Sequence, residues 1–594
     1  MKSAERKIFL FLTVLFLASA LSPNDRAQSP AAETTTTPST GTIVGRVLSE
    51  TGQPLPNATV IVRGSYYTTP PRVTQTDSEG NFQVGNLDAQ LYLVTAASAS
   101  YVSPSRDVET PRANYRIGDS VALTLIKGGV ITGAVMSAEG EPLVQVAVRV
   151  TLIRDLNGQP PRYAANTQQR LTDDRGVYRI YGLLPGTYVV SAGGRSFASY
   201  GVGGAYDADS PTYAPSSTRD SADEVTVRAG EETSGVNIRY RGEPGHSISG
   251  FVTGPAELQY GISLVLSQVI NGVRFPASSA IQFPNSRGFS FDGIADGEYD
   301  LNAQASLAPG DYLMAEPRRI RVKGRDVAGV ALTIKSLGSI SGRVNFEAST
   351  AVECKNKHRP SLAETVVTAR RSEKSISPNE ARLPGMDGSV SPPNKSGDFQ
   401  LRNLGAGQFG LDARFFAKYW YLRSITQSAP ASAAISNRGA PVNVRPIDLV
   451  QNGLNLKFEE RVSGVTVTLA EGASSLRGTI TVPAADSVAP NLYVHLLPAE
   501  KDIAGDLLRV FATKVNSDRT FSFSNLPPGR YWVLVQPSAV TAVSLQSKLR
   551  EPAEIEMRRQ LQGAAEAGKL QVELKPCQNV TDYRLSVSFA SQKN

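Results

Sequence analysis

Hydrolytic chemistry usually needs an imidazole or a bound metal, and this chain of 594 residues has three histidines: His246, His358 and His495. Their +3 neighbours are Ser249, Ser361 and Pro498, so no His-x-x-Glu pair exists to hold zinc. A serine triad would need one of the same histidines as its base, and none lies near a Gly-x-Ser-x-Gly elbow. Gly201-Val202-Gly203-Gly204 lacks a lysine and a following helix, so it reads as a loop tip and not as a phosphate cradle. Paired carboxylates for glycoside chemistry are left open, although the acidic residues mostly occupy turns. The expectation is a chain with no metal, no cofactor and no catalytic residues.

Aromatic clusters are the better candidates for binding. Phe415, Phe416, Tyr419, Trp420 and Tyr421 crowd one stretch. Rings of this kind stack on sugars or anchor a partner protein, and the competing reading is a core strand with its edge. Tyr200, Tyr206 and Tyr213 fall in a Gly/Ser/Asp-rich insertion, where loop packing competes with ligand contact. The candidate ligand-binding set is therefore Tyr200, Tyr206, Tyr213, Tyr419 and Trp420.

The first residues suggest export. Lys2, Arg6 and Lys7 precede an apolar run from Ile8 to Leu17, and Ala18-Ser19-Ala20 offers small residues to a peptidase. No later apolar stretch is long enough to span a bilayer, so no membrane contact is expected beyond this segment. The formal net charge of +7 is scattered, with no run of five basic residues, which argues against nucleic acid as a partner. Outside the cell two cysteines, Cys354 and Cys577, are a candidate disulfide; sequence alone leaves them either paired or free.

The elements that would position these residues show themselves as a repeat. From an aromatic residue, steps of +2, +5, +8 and +10 recur five times: Phe82, Val84, Leu87, Gln90, Tyr92; Tyr178, Ile180, Leu183, Gly186, Tyr188; Phe289, Phe291, Ile294, Gly297, Tyr299; Phe399, Leu401, Leu404, Gly407, Phe409; and Phe521, Phe523, Leu526, Gly529, Tyr531. The alternation continues at +12 and +14. A period of two puts such residues on one face of a strand. Positions 0 and +2 end one strand, positions +10 to +14 begin the next, and both face one core. The Leu or Ile at +5 plugs the end of the sandwich, and Gly at +8 takes a backbone conformation that other residues resist. Gln90 breaks that rule. A polar cluster such as Asp77-Ser78-Glu79-Gly80 or Asp173-Asp174-Arg175-Gly176 precedes each unit and predicts a hairpin. Each copy opens with a strand built around Gly45, Gly133, Gly250, Gly342 or Gly478. These glycines stand between 88 and 136 residues apart, enough for each module to own a core. After the fifth unit, residues 551–566 read as a short helix, with Ile555 and Leu561 facing a sandwich, before final strands at 570–574 and 583–589.

These marks resemble the carboxypeptidase regulatory-like domain, a transthyretin-type sandwich. Leu184-Pro185-Gly186-Thr187-Tyr188 and Leu526-Pro527-Pro528-Gly529-Arg530-Tyr531 carry the resemblance best. It covers most of residues 41–540 and is weaker in copies three and four. The chain is less similar to pilin-type sandwiches with Lys–Asn cross-links, because Arg46, Ala134, Phe251, Arg343 and Thr479 follow the opening glycines where those carry lysine. The resemblance implies an all-β fold, a tandem array of five transthyretin/prealbumin-like β-sandwich modules. The expected parts are a signal peptide at 1–20, a linker at 21–40 and modules at 41–127, 128–243, 244–337, 338–472 and 473–594, set in a row with modest interfaces. By fold analogy with starch-binding sandwiches, the implied function is exported non-catalytic binding and spacing, with carbohydrate recognised on module loops. The alternative is a protein-docking or adhesion scaffold of the cell envelope, and the third reading is an enzyme on polysaccharide or peptide. Partners are then a glycan or an envelope protein, in the periplasm, on the cell surface or outside.

Overall fold

A computed structural model describes residues 40–587, except 66–69, 105–113, 162–166, 195–204, 256–257, 259–260, 271–272, 284, 309–310, 356, 358, 373–374, 376–387, 429–444, 482–490 and 539–541. The expected signal peptide, the linker and the residues Tyr200 and His358 lie outside the described residues.

Among the described residues the chain forms five β-sandwiches in tandem. One arrangement recurs. The opening strand (Thr40–Ser49, Gly129–Met136, His246–Thr253, Gly338–Glu347, Ser474–Thr481) pairs antiparallel with the strand carrying positions 0 and +2. On its other side it pairs parallel with the closing segment of its own module. The strand carrying +10 to +14 belongs to the second sheet, against Thr59–Gly64, Ala147–Arg154, Ile262–Ile270, Val366–Arg371 or Leu492–Pro498. The turn between 0 and +10 is thus a crossover from one sheet to the other, which lets both ends of the pattern face a single core. In the third module the two sheets run into one another through Asp311–Ala315 and Val327–Ser336.

The opening glycines have a steric cause. Each faces the aromatic residue at position 0 in the sheet register. A Cβ on any of them would fall between 1.9 and 2.3 Å from a carbonyl oxygen of the closing segment. In four copies it would also meet the ring of the facing phenylalanine. Only glycine lets the ring lie across the strand and the neighbouring backbone come this close.

The rungs at 0, +2, +5 and +10 are buried in all five copies and anchor five separate apolar cores. At +10 the tyrosine has a second task. Tyr92, Tyr188, Tyr299 and Tyr531 each donate a hydroxyl hydrogen bond to the carbonyl four residues earlier, at 2.9, 2.7, 2.8 and 2.7 Å. The bond ties the start of the second-sheet strand to the crossover before it, in the manner of a tyrosine corner. Phe409 fills the same place in the fourth copy without a hydroxyl.

Two expectations fail. The polar clusters are not hairpins: the strand before each pairs in the second sheet and the strand after it in the first, so they too are corners. Asp77 and Asp173 hold these corners by accepting backbone N–H groups, above all those of Asn81 and Val177, which keeps both carboxyls below the usual range. Ile555 is exposed, because the helix runs Ile555–Gly568 and turns Leu561 and Ala565 inward instead. A preceding helix, Ala542–Leu549, was not expected. The two helices cover the outer face of Leu492–Pro498, where Tyr493 and Leu497 join Leu545, Leu549 and Leu561 in a second small core. Contacts also reach beyond adjacent modules. Arg116 of the first module lies 3.5 Å from Glu364 and 5.4 Å above the Phe416 ring, both in the fourth. No helix among the described residues is long and apolar enough to cross a membrane.

Candidate docking surfaces and module junctions

The side chains singled out from sequence do not converge. Trp420 is fully buried, edge-on to Phe346 at 5.6 Å, so its ring offers no face to a ligand. The alternation of strand Trp420–Gln427 directs it into the fourth core. Tyr419 is half-buried with Lys357 Nζ 4.7 Å from its ring. Tyr206 packs edge-on to Tyr240 at 5.5 Å against the second core. Tyr213 lies in a cleft of about 370 Å³ between the second and third modules, with Arg149, Arg219, Phe275 and Ser278. Burial pushes its hydroxyl upward, against the pull of Arg149 and Arg219. The described histidines are far apart in role. His246 sits 3.3 Å from Asp296, while His495 is buried with neither ring nitrogen hydrogen-bonded among the described residues. Among the described residues no cluster of His, Cys, Asp and Glu could hold a metal ion.

What the sequence reading missed is a second repeat, at +4. Asn86, Gly182, Gly293, Asn403 and Asn525 all have a left-handed backbone, with φ between 55° and 72°. Asn and Gly are the residues that adopt it most readily, so their recurrence at one offset was a legible signal. From the second copy onward, this residue docks on the module before. Gly182 approaches Val102, where a Cβ would stand 3.7 Å from the side chain. At Gly293 a Cβ would fall 2.4 Å from the carbonyl oxygen of Asp207 and 2.8 Å from that of Asp209. Asn403 Oδ1 accepts from the backbone N–H of Tyr312 at 3.0 Å. Asn525 Nδ2 donates to the carbonyls of Ala417 and Trp420 at 2.8 and 2.7 Å.

A backbone bond accompanies each contact. The N–H of Gly128, Gly245, Glu459 and Ala473 reaches the carbonyl of Ser100, Ala208, Ser336 and Tyr419 respectively. Ser100, Ala208 and Tyr419 follow the +10 strand of the preceding module. All four junctions therefore share the left-handed residue, and the first, second and fourth also share a bond from the start of the following module. The last carries a further tie: Cys354 of the fourth module and Cys577 of the fifth form a disulfide, with Cα atoms 5.4 Å apart.

Comparison with known proteins agrees with this architecture in part of the chain. Residues 42–123 match the carboxypeptidase regulatory-like domain family. No curated protein matches the chain. Solved structures similar to it include a minor pilin of Streptococcus agalactiae, at 13% identity over 34% of this chain and 96% of that one, with a TM-score of 0.19. The shaft pilin SpaA of Lactobacillus rhamnosus GG matches at 14% identity over 34% and 97%, with a TM-score of 0.16. Two B repeat units of the collagen binding protein of Staphylococcus aureus match at 10% identity over 73% and 100%, with a TM-score of 0.13. The chain is a tandem β-sandwich protein, and residues 42–123 of its first module match the carboxypeptidase regulatory-like domain.

Proposed function

We propose that this chain is an exported, non-catalytic scaffold of the cell envelope that holds several sandwich surfaces in fixed relation and docks partner proteins on them. The observation that supports this most is the repeated junction. Four left-handed residues, four backbone bonds, a disulfide and the Arg116 contact restrain modules that a flexible spacer would leave free. Rigid presentation lowers the ordering cost when a partner binds across more than one module. Modules at 41–127, 128–243, 244–337, 338–472 and 473–594 are the units of this reading, and export rests on residues 1–20.

Carbohydrate recognition is the weaker reading. Of its candidate rings, Trp420 is in the core and Tyr206 is packed on Tyr240. The deciding experiment offers the purified chain to an envelope protein fraction, a glycan array and a panel of peptide and polysaccharide substrates. A stoichiometric protein partner with no turnover supports docking. Glycan binding that is lost in Tyr213→Ala would restore the sugar reading, and substrate turnover would remove the scaffold reading.

A further inference from the structure

The first, fourth and fifth modules meet around a cleft of about 550 Å³ lined by Asn114, Arg414, Phe415, Phe416, Phe511 and Arg550. Two of its aromatic rings each carry a guanidinium on one face. Arg116 stands 5.4 Å from the Phe416 centroid, and Arg550 stands 5.6 Å from that of Phe511. A guanidinium held over a ring face loses part of its side-chain freedom and keeps N–H donors for other partners.

The local charges do not balance. Arg116 is matched by Asp119 and Glu364. Arg550 shares Asp412 through Nη1, at 3.3 and 3.4 Å, while its Nε is buried with no hydrogen-bond partner among the described residues. Arg414 makes no ion pair among the described residues; Asp412 is the one carboxylate attracting it, and Arg370 and Arg550 repel it. Arg414 and Arg550 thus share a single nearby acid, Asp412, beside an apolar wall that includes Leu508 and Phe523.

We propose that this three-module cleft captures an acidic, apolar-flanked peptide segment of a partner protein, with Arg414 and Arg550 holding a carboxylate and the Phe415, Phe416 and Phe511 side chains receiving its apolar neighbour. The assignment rests on the docking reading above and names the chemistry of the partner. A carboxylate matches the planar fork of a guanidinium through two parallel hydrogen bonds, and two guanidiniums side by side favour such an anion. A peptide fits better than a sugar because guanidiniums already occupy ring faces on which a pyranose would stack.

The test uses the full chain and fluorescence anisotropy with a labelled decapeptide alternating Glu and Leu. Its Gln-for-Glu counterpart and an oligogalacturonate hexamer are the other arms. The acidic peptide is expected to bind saturably, to weaken about tenfold in Arg414→Gln and in Arg550→Gln, and to weaken further with added salt. Asp412→Asn removes the competing carboxylate and should tighten binding, an effect of opposite sign that a folding defect would not produce. No saturable binding, equal affinity in the two arginine variants and the parent, or equal affinity for the neutral peptide overturns the proposal. Preference for the oligogalacturonate overturns the peptide assignment. A chain that retains an envelope partner but ignores the peptide keeps the scaffold reading and loses this site; a chain that binds neither loses both.

Discussion

Asn525 is the sharpest place to test the junctions, because one side chain does two separable things. Its backbone is left-handed at φ 57°, and its amide donates two hydrogen bonds to module four. Replacing it with glycine keeps the backbone free and deletes the bonds. Part-buried bonds at 2.7 and 2.8 Å contribute about 0.5–1.5 kcal/mol each, so Asn525→Gly should cost about 1–3 kcal/mol at the junction. Alanine deletes the bonds and also strains the left-handed backbone, adding about 1 kcal/mol. The five cores need not unfold together, so the readout must be local. Hydrogen exchange of amides in strands Phe511–Lys514 and Thr520–Leu526, with Cys354–Cys577 reduced, reports opening at this interface. The expected order of protection is parent, then glycine, then alanine. A glycine variant as protected as the parent would show that the two bonds do not hold the modules together. Equal protection in glycine and alanine variants would refute the strain component.

Three further outcomes follow from the cores. Tyr188→Phe leaves the Leu184 carbonyl without its partner and should lower second-module stability by about 1 kcal/mol, whereas Tyr188→Ala should cost about 3–5 kcal/mol; urea unfolding of both variants measures the difference. His495 is held by burial at a pKa of about 4, against an ordinary 6.5. The unfolded chain therefore takes up the proton first, so stability present above pH 6.5 is lost as the pH falls toward 4, by roughly 3 kcal/mol, and His495→Leu should flatten that slope in melting curves. Opening the 223-residue loop closed by Cys354 and Cys577 removes about 5 kcal/mol of loop-closure stabilisation on a chain-entropy argument, so Cys577→Ser should make the fifth module the first cut in limited proteolysis.

The cores were legible because burial follows a period of two, and five copies of the same spacing leave little room for chance alignment. The path of the chain between sheets was less legible. Asp77-Ser78-Glu79-Gly80 has the composition of a tight turn whether the strands on either side pair with each other or pass to opposite sheets. The helix Ala542–Leu549 was missed, and Ile555 misassigned, because short amphipathic segments owe their helicity to the surface they cover. Among the candidate binding residues, Trp420 follows the core-strand reading of its cluster, because its strand turns it inward, while Phe415 and Phe416, two letters of the same cluster, line the three-module cleft. A cleft assembled from Asn114, Phe416 and Arg550 has no expression in local sequence, since its walls are hundreds of positions apart.

The shared junction also gives the array a front and a back that are not equivalent. Asn86 in the leading module has the same left-handed turn that serves as a plug in every later copy, and it stands exposed. In the trailing module the place that would be the socket, after strand Gly529–Pro537, leads into the helices Ala542–Leu549 and Ile555–Gly568. A sixth sandwich could therefore be grafted ahead of Asn86 with the existing joint, whereas lengthening the other end would first require those helices to be cut away.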